Sequence, residues 1–191
     1  MSEPIADGRK IRRRGLIRFF LKKNDGATAV EFALVALPFF AIVFAIIETA
    51  LIFWTTQALE NSVSDASRRI YTGQFQQQSD GRSSAELAEA FRDDICSGIV
   101  ALFDCDGALA IDIRAFPDFP NATLEPPVKD GNFDASDFGY EATGPDDIVV
   151  VRAALAYPVL LAIMNPSQIN LNNRRRLVMA TAAFRNEPFP N

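Results

Sequence analysis

The chain contains no histidine among its 191 residues, and it contains only two cysteines. Without histidine it lacks the side chain that most often serves as a general base or metal ligand at neutral pH. Two cysteines alone cannot complete a structural zinc site, which has four ligands. Glycine-rich phosphate loops, nucleophile elbows and zinc motifs are also missing from the sequence. We therefore expect neither an enzyme nor a bound cofactor or metal.

Charge is unevenly distributed along the chain. Residues 1–25 hold eight Lys or Arg against three acidic side chains, a net charge of +5, whereas the remaining residues carry −10. Hydrophobic residues make up 49% of the chain and charged residues 23%, which predicts a folded protein. Because the basic residues after position 25 do not cluster with aromatic residues, we expect no binding to nucleic acid.

An apolar run follows the basic segment. It covers 28 residues, 27–54, and Glu31 and Glu48 are its only charged residues. As a helix, the uncharged residues 32–47 would cover about 24 Å of a hydrocarbon core roughly 30 Å thick, and the flanks would supply the rest. By the positive-inside rule, the N-terminus is predicted to be cytoplasmic and the residues after about 55 to be periplasmic. We expect a single-pass protein of a bacterial inner membrane.

Two simple explanations of the apolar run, a secretory signal and a plain membrane anchor, do not account for all of its features. A cleaved secretory signal has an apolar core of about 7–15 residues, so a run of this length fits it poorly. A plain membrane anchor fits the length but gives no role to Glu31, a carboxylate that is costly near hydrocarbon. For Glu48 two explanations stay open, pairing with a partner subunit and solvation at the membrane interface.

Residues 25–32, Asp-Gly-Ala-Thr-Ala-Val-Glu-Phe, resemble a type IV prepilin processing site, since a basic leader precedes them and an apolar run follows. In that family a prepilin peptidase cuts after a glycine, and the fifth residue of the mature chain is glutamate. Here cleavage after Gly26 would make Ala27 the first residue and Glu31 the fifth. The resemblance implies that the Glu31 carboxylate neutralises an α-amine, its own or a neighbour's, during assembly.

The finer pattern resembles the TadE-like pseudopilins of the tight-adherence (Flp, type IVc) pilus system. The matching positions are Gly26, Ala27, Ala29, Val30, Glu31, Phe32, Ala33 and Leu34, with Pro38 one residue later than the family pattern places it. Residues 184–189 also resemble the end of family members. The resemblance implies that Glu31 and Phe32 act in assembly. A mature chain of 165 residues, much longer than major Flp pilins, favours a minor pseudopilin.

The resemblance also implies partners and a fold. The partners would be the prepilin peptidase, other Tad pilins and pseudopilins, and the inner-membrane assembly platform of a pilus used in adhesion. The fold would be α+β and type IV pilin-like, with a long N-terminal helix continuing from the membrane into the periplasm and a small antiparallel sheet. We accordingly expect a leader at 1–26, a transmembrane helix at 27–54 and a periplasmic α+β domain at 55–191.

Periodicity within residues 55–191 predicts the elements of this domain. Leu59, Val63, Ala66 and Ile70 repeat at helical intervals, so the first helix should continue to about Gly73. After a loop at 74–82, Ser83 and Glu86 form a capping box for a second helix, with Leu87, Ala90, Phe91 and Ile95 on its apolar side. Strand patterns occupy 109–116, 148–157 and 177–184, separated by a long loop at 117–147 and a short helical turn at 160–164.

Cys96 and Cys105 lie nine residues apart. On one straight helix their Cα atoms would be about 13.5 Å apart, whereas a disulfide needs less than about 7 Å. Either the helix breaks between them or they do not pair. Two cysteines in a domain exported to an oxidising compartment usually pair, so we expect the disulfide, with a turn between Leu102 and Asp104.

Other charged groups have modest explanations. Acidic pairs occur at Asp93/Asp94, Asp104/Asp106 and Asp146/Asp147, and a solvated acidic surface accounts for them better than calcium binding does. The three arginines 174–176 fit a charged strand start, although contact with anionic lipid or with an acidic partner stays open. A second function also stays open, that of a membrane-anchored periplasmic binding module unrelated to pili.

Overall fold

The computed structural model describes residues 25–78, 81–99, 105, 107–162 and 166–189. The chain divides into two compact units, the first ending at Phe44 and the second beginning at Ala45. The helices are α1 (Asp25–Tyr71), α2 (Gln74–Gln77) and α3 (Ser84–Gly98), and the strands are β1 (Leu109–Phe116), β2 (Val128–Lys129), β3 (Asn132–Phe133), β4 (Ile148–Pro158) and β5 (Arg175–Arg185). Residues 1–24 of the predicted leader lie outside the described residues.

Helix α1 has one buried stripe within the second unit. Its buried apolar residues are Ile52, Leu59, Val63, Ala66 and Ile70, spaced as one side of a helix requires. The predicted apolar repeat from Leu59 to Ile70 is therefore confirmed.

The end of α1 is set by Gly73. The helix ends at Tyr71, close to the predicted position, and Gly73 follows in the left-handed region with φ 75°. Glycine adopts this conformation without strain and commonly ends helices. A Cβ at this position would also lie 2.5 Å from the Phe189 ring, so the packed C-terminal segment leaves no room for a side chain.

Helix α3 begins as the sequence predicts. The Ser83 hydroxyl accepts a hydrogen bond from the Glu86 backbone N–H, and the Glu86 carboxylate accepts one from the Ser83 backbone N–H at 2.7 Å. The hydrogen bonds that the Ser83 backbone N–H and hydroxyl donate to the Glu86 carboxylate hold the pKa of Glu86 below its ordinary value. Leu87, Phe91 and Ile95 are buried on one side of α3. The segment predicted as a loop at 74–82 contains α2, and residues 79 and 80 lie outside the described residues.

Strands β1, β4 and β5 form an antiparallel sheet with β4 in the centre. Ile113 of β1 lies opposite Val151 of β4, which lies opposite Ala182 of β5. All three strands were predicted, and β4 and β5 extend slightly beyond their predicted bounds. Apolar residues of α1, α3 and one face of the sheet form a single core, so both helices pack on the same face. The predicted α+β fold with a small antiparallel sheet is confirmed.

The segment predicted as a long loop at 117–147 contains more structure than expected. It holds a 3-10 helix at Phe119–Asn121, the short β2–β3 hairpin, and a parallel bridge from Tyr140 to Ile113. Periodicity could not predict these elements because each is only one to three residues long.

A charged cluster joins β1 to β4 away from the helices. Asp112 is fully buried, and its carboxylate accepts hydrogen bonds from Arg152 Nη2 at 2.6 Å and from Arg114 Nε at 2.8 Å. Arg152 also donates to the Glu125 carbonyl at 2.7 Å and lies 5.0 Å above the Phe138 ring. The 117–147 segment therefore covers this face of the sheet and supplies partners for the buried charges.

Candidate processing and assembly site

The described residues of the first unit form an apolar and exposed helical segment. Phe32, Leu34 and Leu37 are each more than 70% exposed, and other large apolar side chains up to Phe44 are exposed as well. The most apolar part of α1 contains no buried residue. Within the described part of the chain, α1 is the one helix long and apolar enough to cross a membrane. These properties suggest a single-pass membrane anchor.

The residues predicted for processing and assembly all lie in the first turns of α1. Gly26 and Ala27 are the second and third residues of the helix, and Glu31 and Phe32 follow as exposed residues. Positions 27 and 31 are four apart in a continuous helix and therefore lie on the same side of it. At this spacing the Cβ positions of a helix are about 5–6 Å apart. Glu31 is the only charged residue between Thr28 and Ile47.

Glu48 serves the fold of the second unit. Its side chain is 94% buried, since only 6% is exposed, and Oε1 accepts a hydrogen bond from the Leu161 backbone N–H at 2.8 Å. Its Oε2 is buried without a hydrogen-bond partner. Interfacial solvation, one of the two sequence explanations for Glu48, is therefore wrong. Pairing with a partner subunit is not needed to explain the residue, because the carboxylate already holds Leu161 in the β4–β5 loop, residues 159–174.

That loop exposes one leucine between two buried residues. Val159 and Ala162 are buried, whereas Leu160 is 82% exposed. The Val159 backbone N–H donates to the Arg174 carbonyl at 3.0 Å, which brings both ends of the loop together. Of the helical turn predicted at 160–164, residues 160–162 form a turn and residues 163–165 lie outside the described residues.

The arginines 174–176 stand where β5 begins. Arg175 is the first residue of the strand, so the charged strand start predicted from the sequence is present. Arg176 donates to the Gln168 side chain at 2.7 Å, whereas Arg174 and Arg175 are exposed.

Cys96 and Cys105 form a disulfide with their Cα atoms 5.9 Å apart. Helix α3 ends at Gly98, so the helix does break between the two cysteines. Both are partly buried against the core, and the bond ties the end of α3 to the segment that enters β1. The turn predicted between Leu102 and Asp104 lies outside the described residues.

Two of the acidic pairs have partners within the fold. Asp94 forms an ion pair with Arg69 of α1 at 2.7 Å, and Asp147 accepts a hydrogen bond from the Gly144 backbone N–H at 2.6 Å. They are therefore not simply a solvated surface. Asp104 and Asp106 lie outside the described residues. Among the residues that the structure does describe, no three His, Cys, Asp or Glu side chains are grouped to hold a metal.

Lys129 lies between two carboxylates near the protein surface. Its ammonium lies 3.0 Å from Asp134 and 3.1 Å from Asp137, and these carboxylates raise the pKa of Lys129. Hydrogen bonds from Ser136, and then from Lys129, lower the pKa of Asp134 to about 2. Burial raises the pKa of Tyr140. Each shift follows from contacts that order the 117–147 segment.

The exposed apolar helix and the compact antiparallel sheet define a pilin-like α+β protein with a membrane anchor. Residues 26–68 match the family model described as TadE-like protein, so the resemblance seen in the sequence is confirmed over these residues. Comparison with curated proteins and with solved structures returned no significant match. The match associates the chain with the Tad pilus and its other components, and the family is not a known enzyme family.

Sequence reasoning missed the contact between Glu48 and the β4–β5 loop. Two signals pointed to it, a carboxylate without a role inside an apolar run and a second apolar stretch, residues 159–164, between two strands. Neither signal names its partner, because the contact joins residues 113 positions apart.

Proposed function

We propose that this protein is a minor pseudopilin of a type IVc (Flp/Tad) pilus, processed after Gly26 by a prepilin peptidase. The observation that carries the proposal is the family match, which begins at residue 26, the glycine of the proposed cleavage site. In this proposal the leader is cytoplasmic, α1 enters the inner membrane, and the second unit lies in the periplasm. The net charge of +5 on residues 1–25 supports that orientation.

The geometry of α1 supports a role for Glu31 in assembly. Cleavage would create an α-amine at Ala27, one helical turn from the Glu31 carboxylate. In apolar surroundings an unpaired carboxylate is costly, so pairing with this amine or that of a neighbouring subunit stabilises the charged form of both groups. The exposed ring of Phe32 would supply apolar contact beside that pair.

Processing is tested by the intact mass and N-terminal sequence of the protein recovered from membranes, with and without the prepilin peptidase. We expect a mature chain that begins at Ala27 only when the peptidase is present. Gly26→Val should leave the leader attached, because the family cuts after glycine. A leader retained in the presence of the peptidase would instead support the membrane-anchored binding module.

Assembly is tested separately with Glu31→Ala. The variant should insert in the membrane and lose its leader normally, because the apolar run remains, but piliation should fall strongly. Glu60→Ala is the matched control, since Glu60 is an exposed glutamate on the same helix, outside the run. Normal piliation with Glu31→Ala would contradict the role of the carboxylate in assembly.

A further inference from the structure

Of the exposed large apolar side chains that the structure describes in the second unit, most lie near Glu48 in sequence or on the loop that Glu48 holds. Six of these residues lie either within six positions of Glu48 on α1 or on the loop that Glu48 holds: Ile46, Ile47, Leu51, Phe53, Trp54 and Leu160. Leu160 alone is 82% exposed, although single exposed leucines are common on protein surfaces. The grouping, rather than the exposure of any one residue, requires an explanation.

The loop is held in a fixed place by two contacts. The Glu48 carboxylate accepts the Leu161 N–H, and the Val159 N–H donates to the Arg174 carbonyl. Because Val159 and Ala162 are buried, the loop cannot turn Leu160 inward without breaking core contacts. The exposed leucine is therefore part of the folded arrangement.

Charge beside the loop favours one kind of surface. Arg174 is linked to the loop through its backbone, Arg175 follows it, and both side chains are exposed. An exposed leucine close to two exposed arginines matches the boundary of an anionic bilayer, where the leucine enters the acyl region and the guanidinium groups reach the phosphates. Trp54 is 60% exposed and is of the residue type enriched at that boundary.

We propose that residues 159–162, at the start of the β4–β5 loop, form a second membrane contact, which inserts Leu160 into the periplasmic leaflet of the membrane that α1 spans and places Arg174 and Arg175 at its anionic headgroups. The proposal rests on the proposed function, because it requires α1 to span the membrane. It is also supported by the position of the predicted transmembrane span, because residues 45–54 of that span belong to the second unit, as the loop does.

The test uses the full chain in nanodiscs of phosphatidylcholine with phosphatidylglycerol, spin-labelled at one position at a time through Leu160→Cys, Ile42→Cys or Ala142→Cys. Ile42 lies in the apolar run. Ala142 is exposed, and its neighbour Thr143 accepts a hydrogen bond from Gln76, which follows the end of α1. That end of α1 lies about 35 Å along the helix from Glu48, so position 142 serves as the control outside the membrane. Labels at positions 160 and 42 should relax several-fold more with oxygen, which partitions into lipid, than with a water-soluble nickel chelate. The label at position 142 should do the reverse.

Each other outcome has a definite meaning. If the label at position 42 is in lipid and the label at position 160 is in water, the second contact is overturned but the membrane anchor is supported. A label at 42 in water overturns the membrane anchor and, with it, the second contact. A label at 160 shielded from both agents indicates a protein surface over the loop and also overturns the proposal.

The lipid charge supplies a further measurement on the same samples. Replacing phosphatidylglycerol by phosphatidylcholine should shift the label at 160 toward water, and the double change Arg174→Gln and Arg175→Gln should abolish that dependence. Neither arginine side chain holds the fold through the contacts described above, so the Cys96–Cys105 bond and the tyrosine near-ultraviolet signal should be unchanged. If the depth of the label at position 160 does not change with lipid charge while Arg174 and Arg175 are both present, the role of the arginines is refuted.

Discussion

The two units use leucine and isoleucine on the same helix in opposite ways. Before Phe44, large apolar side chains point outward on every side of α1, as Leu37 does at 73% exposure. From Leu59 onward, within the second unit, apolar residues are buried at helical intervals against α3 and the sheet. The first pattern requires an apolar environment outside the protein, such as a bilayer. In the second pattern the core of the protein itself provides the apolar environment. Local sequence decides the helix in both units, and the spacing of apolar residues decides the environment.

The same substitution made in both units should have very different effects on stability. Leu59→Ala should lower the free energy of unfolding of the second unit by about 4 kcal/mol, because it leaves a cavity at a fully buried position. Leu37→Ala, its matched control, should leave that free energy unchanged. Denaturation in detergent micelles followed by tyrosine near-ultraviolet dichroism measures the second unit alone, since all three tyrosines lie in it. Equal losses in both variants would contradict the division.

The elements that the sequence predicted share a simple property. Helices α1 and α3 and the three long strands carry patterns that repeat several times, and the capping box of Ser83 and Glu86 is a local signal. The β2–β3 hairpin and the 3-10 helix at Phe119–Asn121 were missed because they are too short for a period to appear. The Glu48 and Asp112 contacts were missed for another reason, since their partners come from distant strands and loops that no local pattern specifies.

The charged cluster around Asp112 lies on the face of the sheet away from the helices, and substitutions there test how much it stabilises the second unit. Asp112→Ala would leave Arg152, which is 8% exposed, without its carboxylate, and should cost about 3 kcal/mol of unfolding free energy. Asp134→Ala is the control, because Lys129 in its ion pair is 56% exposed and ion pairs at the surface contribute little. The double change Asp112→Ala and Arg152→Met should recover part of the loss, since it removes both charges. No recovery would show that the loss comes from packing instead of charge.

The smallest expected effect concerns the pH dependence of the exposed Lys129 contacts. The pKa of Asp134 is lowered from its ordinary value of 3.8 to about 2, so its contribution to stability is present above pH 3.8 and is lost as the pH falls through about 2. Carbon-detected NMR titration, with the signal assigned through Asp134→Asn, measures this pKa directly. Ser136→Ala should raise it more than Lys129→Met, because the hydrogen bond from the Ser136 hydroxyl is the largest single cause of the lowered pKa. The reverse order would mean that the ammonium governs the site, and that the turn at Ser136 contributes less to ordering the 117–147 segment than its geometry indicates.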